Sequence, residues 1–313
     1  MDNDPPQMHL VSRYALLVFI WSTTPLAVVL SIRELHPIWA LALRFALATP
    51  FATLCLWLCK APLPLTKAAF VSYSVGMLSL FGAMIFTYLG AVYLPSSLIS
   101  LLFGLAPLFV GMLAHGVFKT QKLGVNQWAG LILALLGLWM IFAHDEQHGT
   151  QHYALGIVLT LLGVFCYVAS VFLLKKQTIV LHPLAQTTGS LLLSSVAMLC
   201  VLPFYWSFRP TQMPSVVTIT ALLYSVVMAS VVAMFCYFYL VKQLAPATIS
   251  LTTLLTPMFA LLWGYCFNDE RFNGDTAWGM LSIMLGLLAY FAKDIKLYFN
   301  PAEAVSPESK SAL

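Results

Sequence analysis

Residues Gly82–Pro107 read GAMIFTYLGAVYLPSSLISLLFGLAP, and residues Val232–Pro257 read VAMFCYFYLVKQLAPATISLTTLLTP. At a shift of 150, Ala83-Met84 falls on Ala233-Met234, Ile99-Ser100 on Ile249-Ser250 and Pro107 on Pro257. The match extends outward in both directions. Downstream, QKLGVNQWAG (Gln121–Gly130) meets ERFNGDTAWG (Glu270–Gly279) at a shift of 149; upstream, Pro37 meets Pro183 at a shift of 146. Any apolar helix resembles another by chance. The shared prolines and the shared Trp and Gly endings therefore carry the weight, and they indicate two copies of one unit.

Composition says what kind of unit this is. Of 313 residues, 61% are hydrophobic and 8% charged, with a mean hydropathy of +0.90. A soluble domain carries about 25% charged residues. An ordinary soluble enzyme, a disordered chain and a secreted disulfide scaffold are thereby excluded. The charges cluster between apolar runs, and a run of about 20 such residues can cross a bilayer. We expect ten spans: 13–31, 37–59, 68–91, 96–118, 124–143, 154–174, 183–204, 216–241, 246–267 and 275–297. Apolar runs of this length in lipid satisfy their backbone internally and so form helices. The expected fold is thus an all-α integral membrane protein of ten transmembrane helices, arranged as two five-helix repeats over 13–143 and 154–297. A polar, disordered cytoplasmic tail over 298–313 follows.

Five is odd, so the second copy enters the membrane from the opposite face. That makes an inverted repeat, in which two related halves can exchange conformations around a shared site. Orientation follows the Lys/Arg bias. Eleven basic residues, including Arg13, Lys60, Lys67, Lys119, Lys175 and Lys242, fall on one side; Arg33, Arg209 and Arg271 fall on the other. Both termini are expected to be cytoplasmic. The acidic start MDNDPPQ, with no small-residue cleavage site after the first span, argues for a retained helix rather than a signal peptide.

Several features resemble the drug/metabolite transporter superfamily, in particular its EamA-type permeases with two repeats. They are Trp21 in WSTTP, the Arg44-Phe45 pair, the prolines of spans 4 and 9, and the Glu270-Arg271…Trp278-Gly279 turn. The likeness covers about residues 13–297. It implies a central cavity lined by spans 1–4 and 6–9, with spans 5 and 10 peripheral. One departure stands out: the Glu that the family usually places at the end of span 4 is Gln121, while its counterpart Glu270 is kept.

Candidate site residues follow from chemistry. Arg44 is the one charge well inside a span, where burial costs about 2.5 kcal/mol or more; it should face the bundle interior, as an anion ligand or as a structural tie. Pro25, Pro107 and Pro257 each free a helix carbonyl and mark kink or gating positions. Hydroxyls and rings furnish the cavity candidates Trp21, Ser22, Thr23, Thr24, Tyr88, Tyr167, Thr187, Tyr237, Thr253 and Thr256, with Thr87, Ser170 and Gln186 nearby. Such a wall suits a small amphipathic or aromatic solute. No Asp or Glu lies well inside a span, which disfavours a proton-coupled pump for cations. His115 could titrate, but an interfacial role is the simpler reading. The cysteines and the His144–His152 loop lack metal-ligand spacing, so no metal, cofactor or catalytic residue is expected.

The expected function is export of a small metabolite, such as an amino acid or a related organic or amphipathic compound, by alternating access across the cytoplasmic (inner) membrane. The alternatives are transport of phosphorylated anions such as nucleotide sugars, which would want more than one cation, and a membrane enzyme, for which no convergent acid–base set exists. The expected partners are the solute and the bilayer, with a homodimer left open. Nucleic acid is excluded because the basic residues form no patch.

Overall fold

The computed structural model describes residues 7–112, 124–143, 152–177, 179, 181–243, 246–270 and 274–299. Among them the regular structure is helical, without a strand. The helices are α1 (Gln7–Ser31), α2 (Pro37–Leu58), α3 (Lys67–Met77), α4 (Ala83–Gly90), α5 (Ser96–Gly104), α6 (Ala106–Met112), α7 (Val125–Ala143), α8 (Tyr153–Lys175), α9 (Pro183–Val201), α10 (Val216–Tyr224), α11 (Ala233–Gln243), α12 (Pro246–Asn268) and α13 (Gly274–Phe299). Six continuous described stretches are long and apolar enough to cross a bilayer: Leu10–Ser31, Pro37–Leu58, Lys67–Gly90, Tyr153–Leu174, Pro183–Phe208 and Val216–Leu240. Ser96–Met112, Val125–Met140 and Ala277–Ala292 are shorter apolar helical stretches. His115, Gln121, the His144–His148 segment and residues 300–313 lie outside the described residues.

Local structure repeats as the sequence does. His36 caps α2 through its ring nitrogen, accepting from the Ile38 N–H at 3.3 Å, with Pro37 at the first helical position. His182 and Pro183 open α9 in the same way, with the Leu184 N–H at 3.3 Å. Proline fits there because its missing N–H would have no partner anyway. The Thr66 hydroxyl caps α3 and that of Ser215 caps α10, each accepting from the N–H three residues on. Both of these helices then loosen into π-helical segments, Leu78–Gly82 and Ser225–Val232, which end directly before Ala83-Met84 and Ala233-Met234.

Span 4, expected as one helix, is broken at Leu105 between α5 and α6. The Leu105 N–H turns back to the Leu102 carbonyl at 3.1 Å, a tight turn that leaves Pro107 in the first turn of a new helix. Its missing donor is harmless there. Pro257, its repeat counterpart, lies within the uninterrupted α12, and Pro25 within α1.

The chain forms two compact units that cut across the sequence repeats, Met1–Pro107 with Asp145–Arg271, and Leu108–His144 with Phe272–Leu313. In the second, α7 packs antiparallel on α13 through glycines. A Cβ on Gly130 would come within 2.5 Å of the Gly286 carbonyl oxygen, and one on Gly137 within 2.5 Å of the Gly279 oxygen. Such backbone contact between apolar helices needs small residues.

The first unit is stitched by polar side chains. Gln186 of α9 donates to the Ser72 carbonyl of α3 at 3.0 Å and accepts from the Ser72 hydroxyl at 2.7 Å. Ser190 donates to the Tyr73 carbonyl at 3.1 Å. Leu17 and Ile20 of α1 bury against Ala233, Cys236, Tyr237 and Leu240 of α11. At the end of α12, Asp269 takes a left-handed backbone (φ 49°) and the Glu270 N–H reaches back to the Gly264 carbonyl. That reversal delivers the Glu270 carboxylate to the start of α5. It accepts there from the Ser96 N–H (2.8 Å) and hydroxyl (2.6 Å), the Ser97 N–H (3.2 Å) and hydroxyl (2.5 Å), and the Asn268 amide (2.8 Å). An anion on a helix N-terminus satisfies orphan donors and meets the positive end of the helix dipole.

Candidate functional site

Inside the first unit lies a cavity of about 130 Å³. A water needs roughly 10–15 Å³ on this scale, so a solute of about ten non-hydrogen atoms fits. Trp21, Thr24, Pro25 and Val28 of α1 form one wall, with Arg44 of α2 beside them. The π segment and α4 add Ser79, Leu80, Met84 and Thr87; α5 adds Ile99, Ser100 and Phe103. Tyr167, Ser170, Val171 and Leu174 come from α8, Ala229 from the second π segment, Met234, Tyr237 and Phe238 from α11, and Thr256 from α12. The α9 helix, which the family resemblance placed in the wall, lines none of it.

Of the candidate residues, Trp21, Thr24, Pro25, Arg44, Tyr167, Tyr237 and Thr256 are brought together in this wall. Ser22 and Thr23 turn away from it. Ser22 donates to the Phe19 carbonyl and accepts from the Trp263 indole at 3.0 Å, and Thr23 meets the Tyr224 hydroxyl at 2.5 Å. Thr187 is fully buried and bonds the Pro183 carbonyl of its own helix. Tyr88 is buried outside the lining, with its hydroxyl 3.5 Å from Arg44 Nη1. The Thr253 side chain lies outside the described residues.

Aromatic rings shape the space. Trp21 and Tyr237 have ring centroids 5.2 Å apart, and Phe103 and Tyr167 6.3 Å. The Tyr167 and Tyr237 hydroxyls interact with each other. Four of the other lining hydroxyls donate their hydrogens to helix carbonyls: Thr24 to Ile20, Ser79 to Gly76, Thr87 to Ala83 and Ser170 to Val75. They offer the cavity lone pairs only.

Arg44 is the one charged side chain among the described lining residues and is 2% exposed. Its Nε donates to the Ser230 hydroxyl at 2.8 Å. Ser230 itself donates to the Ser225 carbonyl five residues back, at 2.9 Å, a reach that the π segment makes available. Among the described residues, Nη1 has the Tyr88 hydroxyl at 3.5 Å and the Met84 sulfur at 3.6 Å, and the guanidinium carbon lies 6.0 Å from the centre of the Tyr88 ring. The π segments were not anticipated from the sequence, because hydrophobic pattern does not distinguish π from α turns. Such segments appear frequently at functional sites, and here both contribute to the cavity wall.

Helices apolar enough to cross a bilayer, enclosing a cavity of solute size, describe a multi-pass helical membrane transporter. The chain belongs to the EamA-like transporter family, which matches residues 13–143 and 154–292. Among its relatives, "Protein PagO" of Salmonella typhimurium is 27% identical over 273 residues, 82% of this chain and 86% of that one. The "uncharacterized transporter YoaV" of Bacillus subtilis is 24% identical, covering 87% and 92% of the two chains. The "uncharacterized inner membrane transporter YedA" of Escherichia coli K12 is 23% identical over 92% of each. A protein known from a crystal structure has the same fold, with a TM-score of 0.64 at 14% identity over 93% of this chain and 99% of that one.

Proposed function

We propose that the protein exports a small metabolite, an amino acid or a related organic or amphipathic compound, by alternating access across the cytoplasmic (inner) membrane. The observation that carries this reading is the 130 Å³ cavity, whose wall draws on both sequence repeats. In the proposed arrangement, ten spans form two inverted five-helix units with both termini cytoplasmic, and the cavity opens to either side in turn. The prolines at 25, 107 and 257 and the two π segments are the places where helices bend. A transporter needs a wall that both halves share, and a rigid scaffold does not.

The test is counterflow in proteoliposomes. Vesicles preloaded with one unlabelled amino acid or organic acid should accumulate its labelled form transiently, and protein-free vesicles should not. Absence of flux and exchange across a panel of amino acids, organic acids and amphipathic amines would remove the proposal.

A further inference from the structure

We propose that Arg44 is an anion subsite, and that the solute it holds is a monocarboxylate with an apolar or aromatic body. The proposal depends on the transport reading only in treating this solute as cargo. Arg44 is 2% exposed, and no carboxylate among the described residues pairs with it. A buried charge left without a counter-charge is strongly unfavourable, and a hydroxyl dipole does not neutralise it. Its protein contacts are also lopsided. Nε is held firmly by Ser230, Nη1 has two long contacts, and Nη2 has no partner among the described residues.

Ser230 spends its own hydrogen on the Ser225 carbonyl, so its lone pair is what faces Nε. The anchored edge of the guanidinium therefore belongs to the protein. The edge formed by Nη1 and Nη2 is the fork that receives a planar carboxylate through two parallel hydrogen bonds.

The rest of the wall restricts what the carboxylate can be attached to. Thr24, Ser79, Thr87 and Ser170 already donate to carbonyls, and Arg44 is the one cation among the described lining residues, so an anion of more than one charge finds no second cation there. Trp21, Phe103, Tyr167, Tyr237 and Phe238 offer ring surface instead. A phosphate dianion would bring a second negative charge that nothing else in the described lining compensates. A cationic solute would meet Arg44 without a facing acid.

The experiment uses purified full-length protein and four probes of nearly equal size: phenylacetate, phenylacetamide, phenethylamine and phenyl phosphate. Calorimetry should show phenylacetate binding at least about tenfold tighter than the amide or the amine, a difference of about 1.4 kcal/mol. Arg44→Gln should bring acid and amide to equal affinity, and Arg44→Lys should restore part of the preference. Equal binding of acid and amide by the unaltered protein overturns the proposal. So does tighter binding of the amine or the phosphate, no binding of any probe, or a preference that survives Arg44→Gln. If Arg44→Gln fails to fold, Ser230→Ala replaces it. Loss of the Nε anchor should then weaken the acid preference, and an unchanged ratio refutes the role. Carboxylate binding without flux would leave the subsite standing and remove transport; flux of neutral solutes without a carboxylate preference would do the reverse.

Discussion

Replacing Glu270 by Gln tests what the carboxylate at the start of α5 contributes. One oxygen receives the Ser96 N–H, the Ser96 hydroxyl and the Asn268 amide; the other receives the Ser97 N–H and hydroxyl. Gln keeps the shape but turns one acceptor into a donor. With the amide oxygen placed on the Ser96 side, its NH₂ meets Ser97. The Ser97 hydroxyl can rotate and accept, but the Ser97 N–H cannot, and is orphaned at a cost of about 1–3 kcal/mol. Loss of the negative charge at the helix N-terminus adds roughly 0.3–1 kcal/mol, and up to about 2 where it is buried. Glu270 is 7% exposed, so water restores little of this. The sum is about 3 kcal/mol, and at roughly 2–4 °C per kcal/mol the apparent melting temperature should fall by about 6–12 °C. The assay is size-exclusion chromatography after graded heating in detergent, with Glu34→Gln as control. The Glu34 carboxylate is fully exposed and accepts from the Ser215 N–H in solvent, so that change should move the melting temperature by less than about 2 °C. A Glu270→Gln protein melting within that same margin of the unaltered one would refute the reasoning.

Gly264→Ala should mimic part of that loss, because a Cβ there would lie 2.4 Å from the Glu270 carboxylate and force it off Ser97; melting temperatures of the single and double variants check it, and full additivity would count against a shared cause. Gly286→Val should separate α7 from α13, since even a Cβ would sit 2.6 Å from the Gly130 carbonyl oxygen; cysteine crosslinking between the two helices should weaken. The Ser215 N–H and hydroxyl hold the Glu34 carboxyl below its usual range. Its contribution is therefore present above the ordinary carboxylate pKa of about 4.3 and lost as pH falls through the lower folded value; the melting difference between Glu34→Gln and the parent should vanish in acid, and a difference that grows there would contradict the sign. Flux should be nearly indifferent to an imposed pH gradient, since the described cavity wall holds no carboxyl or imidazole; strong dependence in proteoliposomes would require a titrating group elsewhere.

How far the sequence could be read depended on whether a feature belongs to one helix or to two. Apolar runs, caps and prolines are local. His36-Pro37 and His182-Pro183 open their helices as their residue types require, and Pro107 lies two residues past the break at Leu105. Arg44 was legible as a buried charge because its cost in lipid does not depend on its neighbours. Its holder was not, since Ser230 lies in a distant stretch and is aimed by a π segment that leaves no hydrophobic signature. The polar side chains of span 7 show the same dependence on partners: Thr187 and Gln186 look like cavity wall in one dimension, and in the fold they bond their own helix and α3.

Glu270 shows the same limit from the other direction. Its counterpart Gln121 was visible as a departure, but what it departs from becomes clear only once Ser96 and Ser97 are seen to receive the carboxylate. At the repeat shift those two serines correspond to Pro246 and Ala247. Proline has no N–H and alanine no hydroxyl. The acid and its donors have therefore been replaced together in the other copy, as expected if each is useful only in the presence of the other. The two copies thus bring different hydrogen-bonding residues to corresponding positions in the sequence. In an alternating-access cycle the end clasped by Glu270 would be the costlier one to open, and restoring a carboxylate with Gln121→Glu should fail to equalise them unless Pro246→Ser and Ala247→Ser accompany it. Accessibility labelling of single cysteines at the two ends, compared between the single and triple variants, decides this: equal shifts in both would mean that the serines do not set the balance.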